Sequence, residues 1–436
     1  MAGPLVGVKI LEFTQIIAGP MGCQLLADLG ADVIKVEPPG GEPWRLNAQF
    51  MPLESKTYMG LNRGKRSLAI DVSKPSSQAA IHRLVKQMDV VVINYRPDVA
   101  KRLKIDYDTL AALKPDLIYV DNTAFGREGP LADRPGYDIL VQALSGLTGA
   151  VAKVDDNGQP LTGPAVADTT TGYAVCAGTL AALYHKAKTG EGQMVETSLL
   201  INALTIHMSQ FASIPAADSA VREGFLNALQ KARDTGMPYS EFLKVREAML
   251  RAAAGGNVYY RCFLTQDGAI AIGALSDALR AKVRATLAFE HNRDEPGYNA
   301  QDPAQIAIDK ALIARTEALF KTKTTAEWDV ILTTGGVPCG SVNFVQELLN
   351  HPQIVANEYV VEHDHELAGP VWMQAAPWKM SKTPPTPHEG VPAARPGHGR
   401  GVGRGWRFHR RDRRDACRRR YPVTRIGPSR RNRGSR

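Results

Sequence analysis

The sequence predicts an α/β protein that is built around a parallel sheet and has more than one domain. Its length of 436 residues exceeds what one compact core usually holds, since domains average roughly 100–200 residues. Residues 8–13, 20–29 and 32–36 follow the order strand, helix, strand, which is typical of parallel α/β units. Short apolar runs at 90–93 and 117–122 indicate further buried strands.

The other elements follow from apolar periodicity and from turn residues. Residues 216–254 are polar and helix-biased, and we interpret them as the connection to a second unit. The remaining predictions are strands at 65–71 and 194–199, helices at 77–88, 173–186, 198–211 and 345–350, two helical patterns within 303–335, and a hairpin within 259–277 around Asp267-Gly268.

The composition argues against a membrane protein, a secreted protein and a zinc site. The chain has no run of about 18 apolar residues. Lys9 and Glu12 interrupt the first apolar run, which does not fit a secretory signal. The five cysteines show no Cys-x-x-Cys spacing, and such scattered cysteines are typical of a reducing cytoplasm. We therefore expect a cytoplasmic protein without a metal site or a membrane span.

The net charge of +9 comes from the end of the chain. Residues 395–436 hold 16 Arg and 2 Asp and so contribute +14, which leaves −5 for the rest of the chain. Arginine runs at 410–414 and 418–420 are the basis for a nucleic-acid-binding alternative, but such runs are usually solvated and disordered. We expect residues 391–436 to be a disordered basic tail. Its amino-acid composition is typical of a translation of coding DNA in the wrong reading frame. Nucleic-acid binding is not expected.

Two loops are placed where a ligand would bind. The loop at 14–19 lies between the first strand and the first helix and offers backbone N–H groups to a phosphate or polar ligand, although a Gly-x-Gly-x-x-Gly fingerprint is absent. Asn94, Tyr95 and Arg96 directly follow the strand at 90–93, and ligands of parallel sheets bind outside the carboxyl ends of strands. Taken alone, Arg96 is better explained as a solvated loop charge.

Asp168 is the candidate catalytic residue. It lies among small residues, at or just before the predicted start of the helix at 173–186. An ordinary helix N-cap is the simpler explanation, because Asp is a preferred capping residue. The alternative is a reactive carboxylate, which the helix dipole would keep ionised at neutral pH. Only the surrounding pattern favours this second explanation.

The pattern is a series of blocks spread over about residues 4–388 that together resemble the class III CoA-transferases. The family includes formyl-CoA transferase and the 2-methylacyl-CoA racemases. The blocks, in chain order, are FTQIIAGPMGCQLLADLGADVIKVEPPGGEPWR, NRGKRSLAIDV, VVINYRPDVAKRL, GYDILVQALSG, GPAVADTTTGYAVCAGTLAALYHKAKTGEGQMVETSLL and GVPCGSVNFVQELLNHPQ.

The resemblance implies a Rossmann-like large domain with a parallel sheet, a smaller α+β domain and an intertwined homodimer. It divides the chain into a large CoA-binding domain at 1–215, a helical linker at 216–254, a small domain at 255–335, a return to the large domain at 336–390, and the tail at 391–436.

The resemblance also implies an activity: transfer of CoA from an acyl-CoA to a carboxylic acid acceptor through covalent intermediates on Asp168. Coenzyme A would enter only as the acyl-CoA substrate, without a metal or a nucleotide cofactor. The CoA-binding residues implied by the matching blocks are Ile17, Ala18, Ile70, Asn94, Tyr95, Arg96, Arg102, Arg134 and Tyr137.

The sequence departs from formyl-CoA transferase at two places. Pro38 stands where that enzyme has an arginine, and its glycine-run loop has only Gly255-Gly256-Asn257 as a counterpart. Formyl-CoA and oxalate are therefore not the expected substrates.

Two alternatives start from the same resemblance. A racemase needs two opposed acid/base groups and has His in the block that reads Gly136-Tyr137-Asp138-Ile139 here. Tyr has an ordinary pKa of about 10 and is a poor base near neutrality, which favours a transferase. A catalytically inactive relative that only binds CoA is the other alternative, and the presence of Asp168 argues against it.

Overall fold

The computed structural model describes residues 3–254, 257–299, 302–385 and 392–393. They divide into two compact units. The first takes the described residues within Met1–Val151, Leu161–Ala212 and Ala356–Arg436, and the second takes those within Ala152–Pro160 and Ser213–Val355. The domain division proposed from the sequence stays a prediction.

The described strands form one large and three small sheets. Their bounds are β1 (Lys9–Phe13), β2 (Asp32–Glu37), β3 (Gln49–Met51), β4 (Glu54–Ser55), β5 (Lys65–Ala69), β6 (Val90–Ile93), β7 (Ile118–Thr123), β8 (Met194–Ser198), β9 (Tyr260–Leu264), β10 (Ala269–Gly273), β11 (Cys339–Ser341), β12 (Val360–His365) and β13 (Gly369–Gln374).

The helices range from single turns to a helix of 24 residues. They are α1 (Ala18–Asp28), α2 (Pro43–Leu46), α3 (Lys56–Met59), α4 (Pro75–Val85), α5 (Pro97–Arg102), α6 (Tyr107–Leu113), α7 (Asp138–Ser145), α8 (Leu147–Val151), α9 (Val166–Thr189), α10 (Leu199–Ile206), α11 (Pro215–Asp234), α12 (Tyr239–Ala254), α13 (Asp277–Leu287), α14 (Pro303–Phe320), α15 (Thr325–Thr334) and α16 (Pro352–Ala356), with 3₁₀ turns at Met208–Gln210 and Val345–Asn350.

The first unit is organised by a six-stranded sheet in the order β5-β2-β1-β6-β7-β8. Every neighbouring pair in this sheet is parallel. The prediction of an α/β protein with a parallel sheet is therefore confirmed. The strand order reverses direction between β1 and β6, and such a switch point leaves a crevice at the carboxyl ends of the two strands.

Helices α1 and α9 cover one face of this sheet. The strand side chains Ile10, Val92 and Val120 are buried there against Cys23 of α1 and Val175 of α9. The opposite face buries the alternate side chains of the same strands with residues of α4 and α6. Burial on both faces explains why these strands read as short continuous apolar runs in the sequence.

The helices α1 and α9 approach each other closely at two glycines. A Cβ atom built on Gly22 would lie 2.5 Å from the Val175 side chain and 2.9 Å from the Gly172 carbonyl oxygen. A Cβ atom built on Gly172 would lie 2.9 Å from the Met21 side chain. Gly22 is the fifth residue of α1 and Gly172 the seventh of α9, so this contact lies one to two turns from the start of each helix.

The second unit contains the antiparallel sheet β11-β10-β9. The predicted hairpin is confirmed, because β9 and β10 pair in antiparallel register on either side of Asp267-Gly268. Helices α13, α14 and α15 pack on it around Phe263, Phe320 and Trp328. The ring centroids of Phe263 and Phe320 lie 4.3 Å apart in a stacked arrangement.

Two predicted helix starts were wrong. Helix α9 begins at Val166 rather than at residue 173. The hydroxyls of Thr169, Thr170 and Thr171 donate to carbonyl oxygens four residues earlier, so a threonine run that reads as a loop becomes part of the helix. Helix α1 begins at Ala18, which makes Pro20 its third residue. Proline is tolerated there because the first N–H groups of a helix have no intrahelical partner.

Several predictions concern what the chain lacks. No described helix is long and apolar enough to cross a membrane. Within the described ranges, no cluster of three His, Cys, Asp or Glu side chains is placed to hold a metal ion. The predicted disordered tail lies outside the described residues, except for Pro392 and Ala393. Gly255 and Gly256, of the counterpart to the glycine-run loop, also lie outside them.

Candidate active site

A pocket opens at the carboxyl ends of β1, β6 and β7, beside the switch point of the sheet. Its wall also includes the residues before α7 and the first turn of α9. Six of the ten predicted site residues line this pocket, namely Ala18, Asn94, Tyr95, Arg96, Tyr137 and Asp168.

The loop after β1 is held by the residues that follow β6. The backbone N–H of Gln15 donates to Asn94 Oδ1 at 3.0 Å, and Asn94 Nδ2 donates back to the Gln15 carbonyl at 2.9 Å. The Gln15 side-chain amide donates to the Tyr95 hydroxyl at 3.1 Å. Asn94 and Tyr95 therefore shape the pocket by fixing this loop, in addition to lining it.

Asp168 is the third residue of α9 and does not cap it. The N-cap is Ala165, and no side chain accepts a hydrogen bond there. The Asp168 side chain is buried, with 8% of the residue exposed, and it lines the pocket. The backbone N–H of Ala18, the first residue of α1, favours the charged form of this carboxylate, and Ala18 packs in one buried cluster with Ala167. The ends of two helices therefore meet at this carboxylate.

A second carboxylate lies beside Asp168. Asp138, the first residue of α7, accepts the backbone N–H of Asp168 through Oδ2 at 2.9 Å. Its other oxygen accepts a hydrogen bond from the Gln142 side-chain amide, which also donates to the Pro164 carbonyl at 2.9 Å. These bonds fix the start of α7 against the start of α9.

The environment raises the pKa of Asp168 to about 7. Burial is the main cause, since it penalises the charged form, and the negative charge of Asp138 adds to it. The backbone N–H of Ala18 acts in the opposite direction and lowers the pKa. The expectation that the helix start keeps Asp168 ionised at neutral pH therefore needs correction, because the carboxyl group is about half protonated near pH 7.

The three predicted arginines are exposed. Arg96 pairs with Asp98 at 3.0 Å and donates to the Asp133 carbonyl at 3.4 Å, which links the loops that follow β6 and β7. Arg102 ends α5, and Arg134 lies in the loop before α7. Of the three, only Arg96 lines the pocket.

The remaining predicted residues differ in their surroundings. Tyr137 is the N-cap of α7 and is 57% exposed at the pocket. Ile17 is the N-cap of α1, and Ile70 follows β5, where its N–H donates to the Glu37 carbonyl at 2.8 Å. Neither Ile17 nor Ile70 is among the residues that line the pocket.

The sequence interpretation missed three polar residues of this region. Asp138 lies directly after Tyr137 in a matched block, so the proximity of a second carboxylate was a usable signal. Gln15 belongs to the first loop, and its contact with Asn94 and Tyr95 joins residues about 80 positions apart. Asn122, near the end of β7, is a buried pocket residue that no motif indicated.

The chain is similar to known CoA-transferases over most of its length. The model of CoA-transferase family III matches residues 5–397. The chain is 31% identical over 392 residues to succinyl-CoA:glutarate CoA-transferase of Homo sapiens, which covers 88% of this chain and 83% of that protein. It is 32% identical over 391 residues to succinate–glutarate CoA-transferase of Agrobacterium fabrum, which covers 87% of this chain and 90% of that protein.

Solved structures are also similar to this chain over most of its length. The orthorhombic crystal structure of Rv3272 from M. tuberculosis matches with a TM-score of 0.70 and 26% identity, and it covers 90% of this chain and 97% of that one. A CAIB/BAIF family protein from Brucella suis matches with a TM-score of 0.68, 26% identity and the same coverage. With a family match over nearly its whole length, this chain belongs to CoA-transferase family III.

Proposed function

We propose that this enzyme moves CoA from an acyl-CoA thioester to a carboxylic acid through covalent intermediates on Asp168. The main support is that Asp168 is a buried carboxylate and lines the pocket at the switch point together with Ala18, the first residue of α1. A carboxylate in such a place can act as a nucleophile, and covalent catalysis divides one difficult transfer into easier steps.

The proposed chemistry has four steps. The Asp168 carboxylate attacks the thioester carbonyl and expels the CoA thiolate, which leaves an aspartyl–acyl anhydride. The thiolate attacks the aspartyl carbonyl, releases the donor acid and forms an aspartyl-CoA thioester. The acceptor carboxylate then attacks this thioester and again releases the thiolate, which leaves an anhydride between Asp168 and the acceptor. Attack of the thiolate on the acceptor's carbonyl forms the new acyl-CoA and frees Asp168.

The chain offers groups for each part of the substrate. Backbone N–H groups at the starts of α1 and α9 are suited to the oxyanions that form during these steps. Arg96, Arg102 and Arg134 are suited to the CoA phosphates, because guanidinium groups bind phosphate in a bidentate manner. We propose that Tyr137, which is exposed at the pocket, lines the CoA path and does not move a proton.

We propose a short dicarboxylic acid as the acceptor and succinyl-CoA as the first donor to test. The support is that both relatives compared above are named for succinate and glutarate. A panel of succinyl-, acetyl- and aryl-CoA donors with several carboxylates, read by mass spectrometry, identifies the pair that is used.

The proposed nucleophile is tested by trapping. Hydroxylamine added during turnover converts an aspartyl thioester or anhydride into a hydroxamate, which we expect on the peptide that contains residue 168. Asp168→Ala is expected to lose transfer and still bind CoA. Full activity of Asp168→Ala, or a hydroxamate on another acidic residue, would show that the assignment is wrong.

We further propose that the enzyme acts in the cytoplasm as an intertwined homodimer. The four described cysteines are free thiols, which supports a reducing compartment. The dimer is implied by the resemblance of the sequence blocks. Light scattering on the purified protein measures its mass, and a monomer at working concentration would contradict the proposal.

A further inference from the structure

We propose that Glu42 is a positioning residue, which holds the loop between β1 and α1 in the conformation that directs the Ala18 N–H to Asp168. This proposal rests on the proposed role of Asp168. Glu42 lies at the N-cap position of α2, but its side chain does not cap that helix. Instead, its Oε2 accepts the backbone N–H of Ile16 at 2.8 Å.

Ile16 has a conformation that requires support. Its φ angle is +75°, in the left-handed region that β-branched residues rarely adopt. Such a conformation persists only where the surrounding structure determines it. Ile16 lines the pocket and lies two residues before Ala18, so a change of its backbone angles would redirect the Ala18 N–H.

Glu42 is fixed by a buried charge network. Its Oε1 lies 3.2 Å from Lys35 Nζ, and Lys35 also pairs with Glu12 at 3.1 Å. The side chains of all three residues are fully buried. Lys35 also donates to the Thr14 carbonyl at 2.8 Å, so this network holds the loop at two residues, Thr14 and Ile16.

Two further contacts hold this region. Asn94 holds both backbone groups of Gln15. Lys65, which pairs with Glu12 of the same charge network at 2.9 Å, donates to the Pro20 carbonyl at 2.8 Å in the first turn of α1. Within the described part of the chain, the Glu42 side chain binds the backbone of Ile16, the strained residue. Its loss would therefore release the part of the loop nearest to Ala18.

A glutamine cannot replace both contacts of this glutamate. The two carboxylate oxygens of Glu42 accept from Ile16 on one side and pair with Lys35 on the other. A glutamine that accepts from Ile16 turns its NH₂ group toward the Lys35 ammonium, so that two donors face each other. Glu42→Gln therefore disturbs the anchor with almost no change in side-chain volume.

The test compares Glu42→Gln with Asp28→Asn. Asp28 is also fully buried and pairs with Arg63 at 2.6 Å, but it lies at the opposite end of α1. Both variants lose a buried acidic charge, and Asp28→Asn reports the effect of lower stability alone. We expect Glu42→Gln to lower kcat by about tenfold to a hundredfold, because errors of position near 1 Å can have that effect. KM for acyl-CoA should stay within about threefold.

A second arm tests the role of Ile16. Glycine adopts positive φ angles without strain, so Ile16→Gly removes the need for this anchor. In the Ile16→Gly background, Glu42→Gln should reduce kcat clearly less than it does in the natural sequence. Three results would each overturn the proposal. Glu42→Gln could reduce kcat equally in both backgrounds, it could keep the natural kcat, or Asp28→Asn could lose as much kcat as Glu42→Gln.

A third arm does not depend on activity. Carbodiimide reacts with protonated carboxyl groups, so the pH dependence of Asp168 labelling, read by peptide mass spectrometry, follows its titration. The Ala18 N–H lowers the pKa of Asp168, so its displacement should move the labelling midpoint of Glu42→Gln to higher pH, with Asp28→Asn unchanged. An unmoved midpoint contradicts the positioning role. Absence of CoA transfer by the natural protein would instead contradict the proposed function.

Discussion

Asp138 accepts the backbone N–H of Asp168 at 2.9 Å, so two carboxylates share the start of α9. The hydrogen bond goes to the main chain and leaves the Asp168 side chain free for the pocket. Burial and the negative charge of Asp138 both favour the protonated form of Asp168, and together they raise its pKa to about 7. Asp138 thus fixes the start of the helix that carries the candidate nucleophile and adds to the effect of burial on its pKa.

The activity is expected to depend on pH through Asp168. Since only the ionised form can attack, kcat/KM should fall as the pH decreases through about 7. Asp138→Asn removes a negative charge and keeps an oxygen that can accept the Asp168 N–H. The acidic limb of kcat/KM against pH should therefore move to lower pH in this variant. A limb near pH 4 in the natural enzyme would contradict the raised pKa.

Asp168→Asn is expected to stabilise the fold at neutral pH. The pKa of Asp168 is about 7 in the folded protein, whereas an ordinary Asp side chain has a pKa of 3.8. The folded state therefore binds the proton more tightly than the unfolded state does. The ionised carboxylate therefore lowers the free energy of unfolding. This effect is absent below about pH 4, grows between about pH 4 and pH 7, and is constant above pH 7. At about 1.4 kcal/mol per pKa unit, asparagine should raise the free energy of unfolding by about 1–4 kcal/mol at pH 8.

Denaturant unfolding at pH 8 and pH 4.5 measures this effect. The difference between Asp168→Asn and the natural protein should shrink at the lower pH. Asp28→Asn is the control, because it breaks the buried pair with Arg63 and should destabilise the fold at pH 8. An Asp168→Asn variant that is less stable at pH 8 would mean that the ionised carboxylate is well stabilised in the folded state.

Tyr137→Phe is expected to leave appreciable CoA transfer. Tyr137 is largely exposed at the pocket, and its backbone carbonyl accepts the N–H groups of Leu140 and Val141. The natural enzyme should also exchange very little deuterium at the α-carbon of a 2-methylacyl-CoA, measured by mass spectrometry. Rapid exchange without CoA transfer would instead support the racemase alternative.

Gly22→Ala is expected to destabilise the first unit. The added Cβ would overlap the Val175 side chain and approach the Gly172 carbonyl, so α1 and α9 would have to move apart. Overpacking of this kind destabilises by about 1–3 kcal/mol, and kcat should also fall because the ends of these helices carry Ala18 and Asp168. Urea unfolding measures the stability, and steady-state kinetics on the same preparation measures kcat.

Gly224→Ala is the matched control for this helix glycine. Gly224 lies within α11, and a Cβ added there would meet nothing within 4 Å. Alanine should stabilise that helix by about 0.5–1 kcal/mol and leave kcat unchanged. Equal effects of the two substitutions would show that the contact between α1 and α9 is not as close as described.

Some elements of the fold could be predicted because their signals are local. The first strand–helix–strand unit and the Asp267-Gly268 hairpin each depend on residues that are close in the chain. The β12–β13 hairpin had no such signal, because β12 contains Glu362, His363, Asp364 and His365. Buried His365 accepts the N–H groups of the following turn, a contact that the alternation of residue types does not indicate.

Some features of the candidate site could likewise be predicted from the sequence, and others could not. The sequence by itself identified Asp168 and the residues after the first strands, since ordered motifs and strand ends can be read along the chain. Only the tertiary structure brought the Ala18 N–H and Asp138 to Asp168 and raised its pKa to about 7. Burial and charge at one atom depend on groups that lie 30 to 150 positions away in the chain, and no local pattern records their distances.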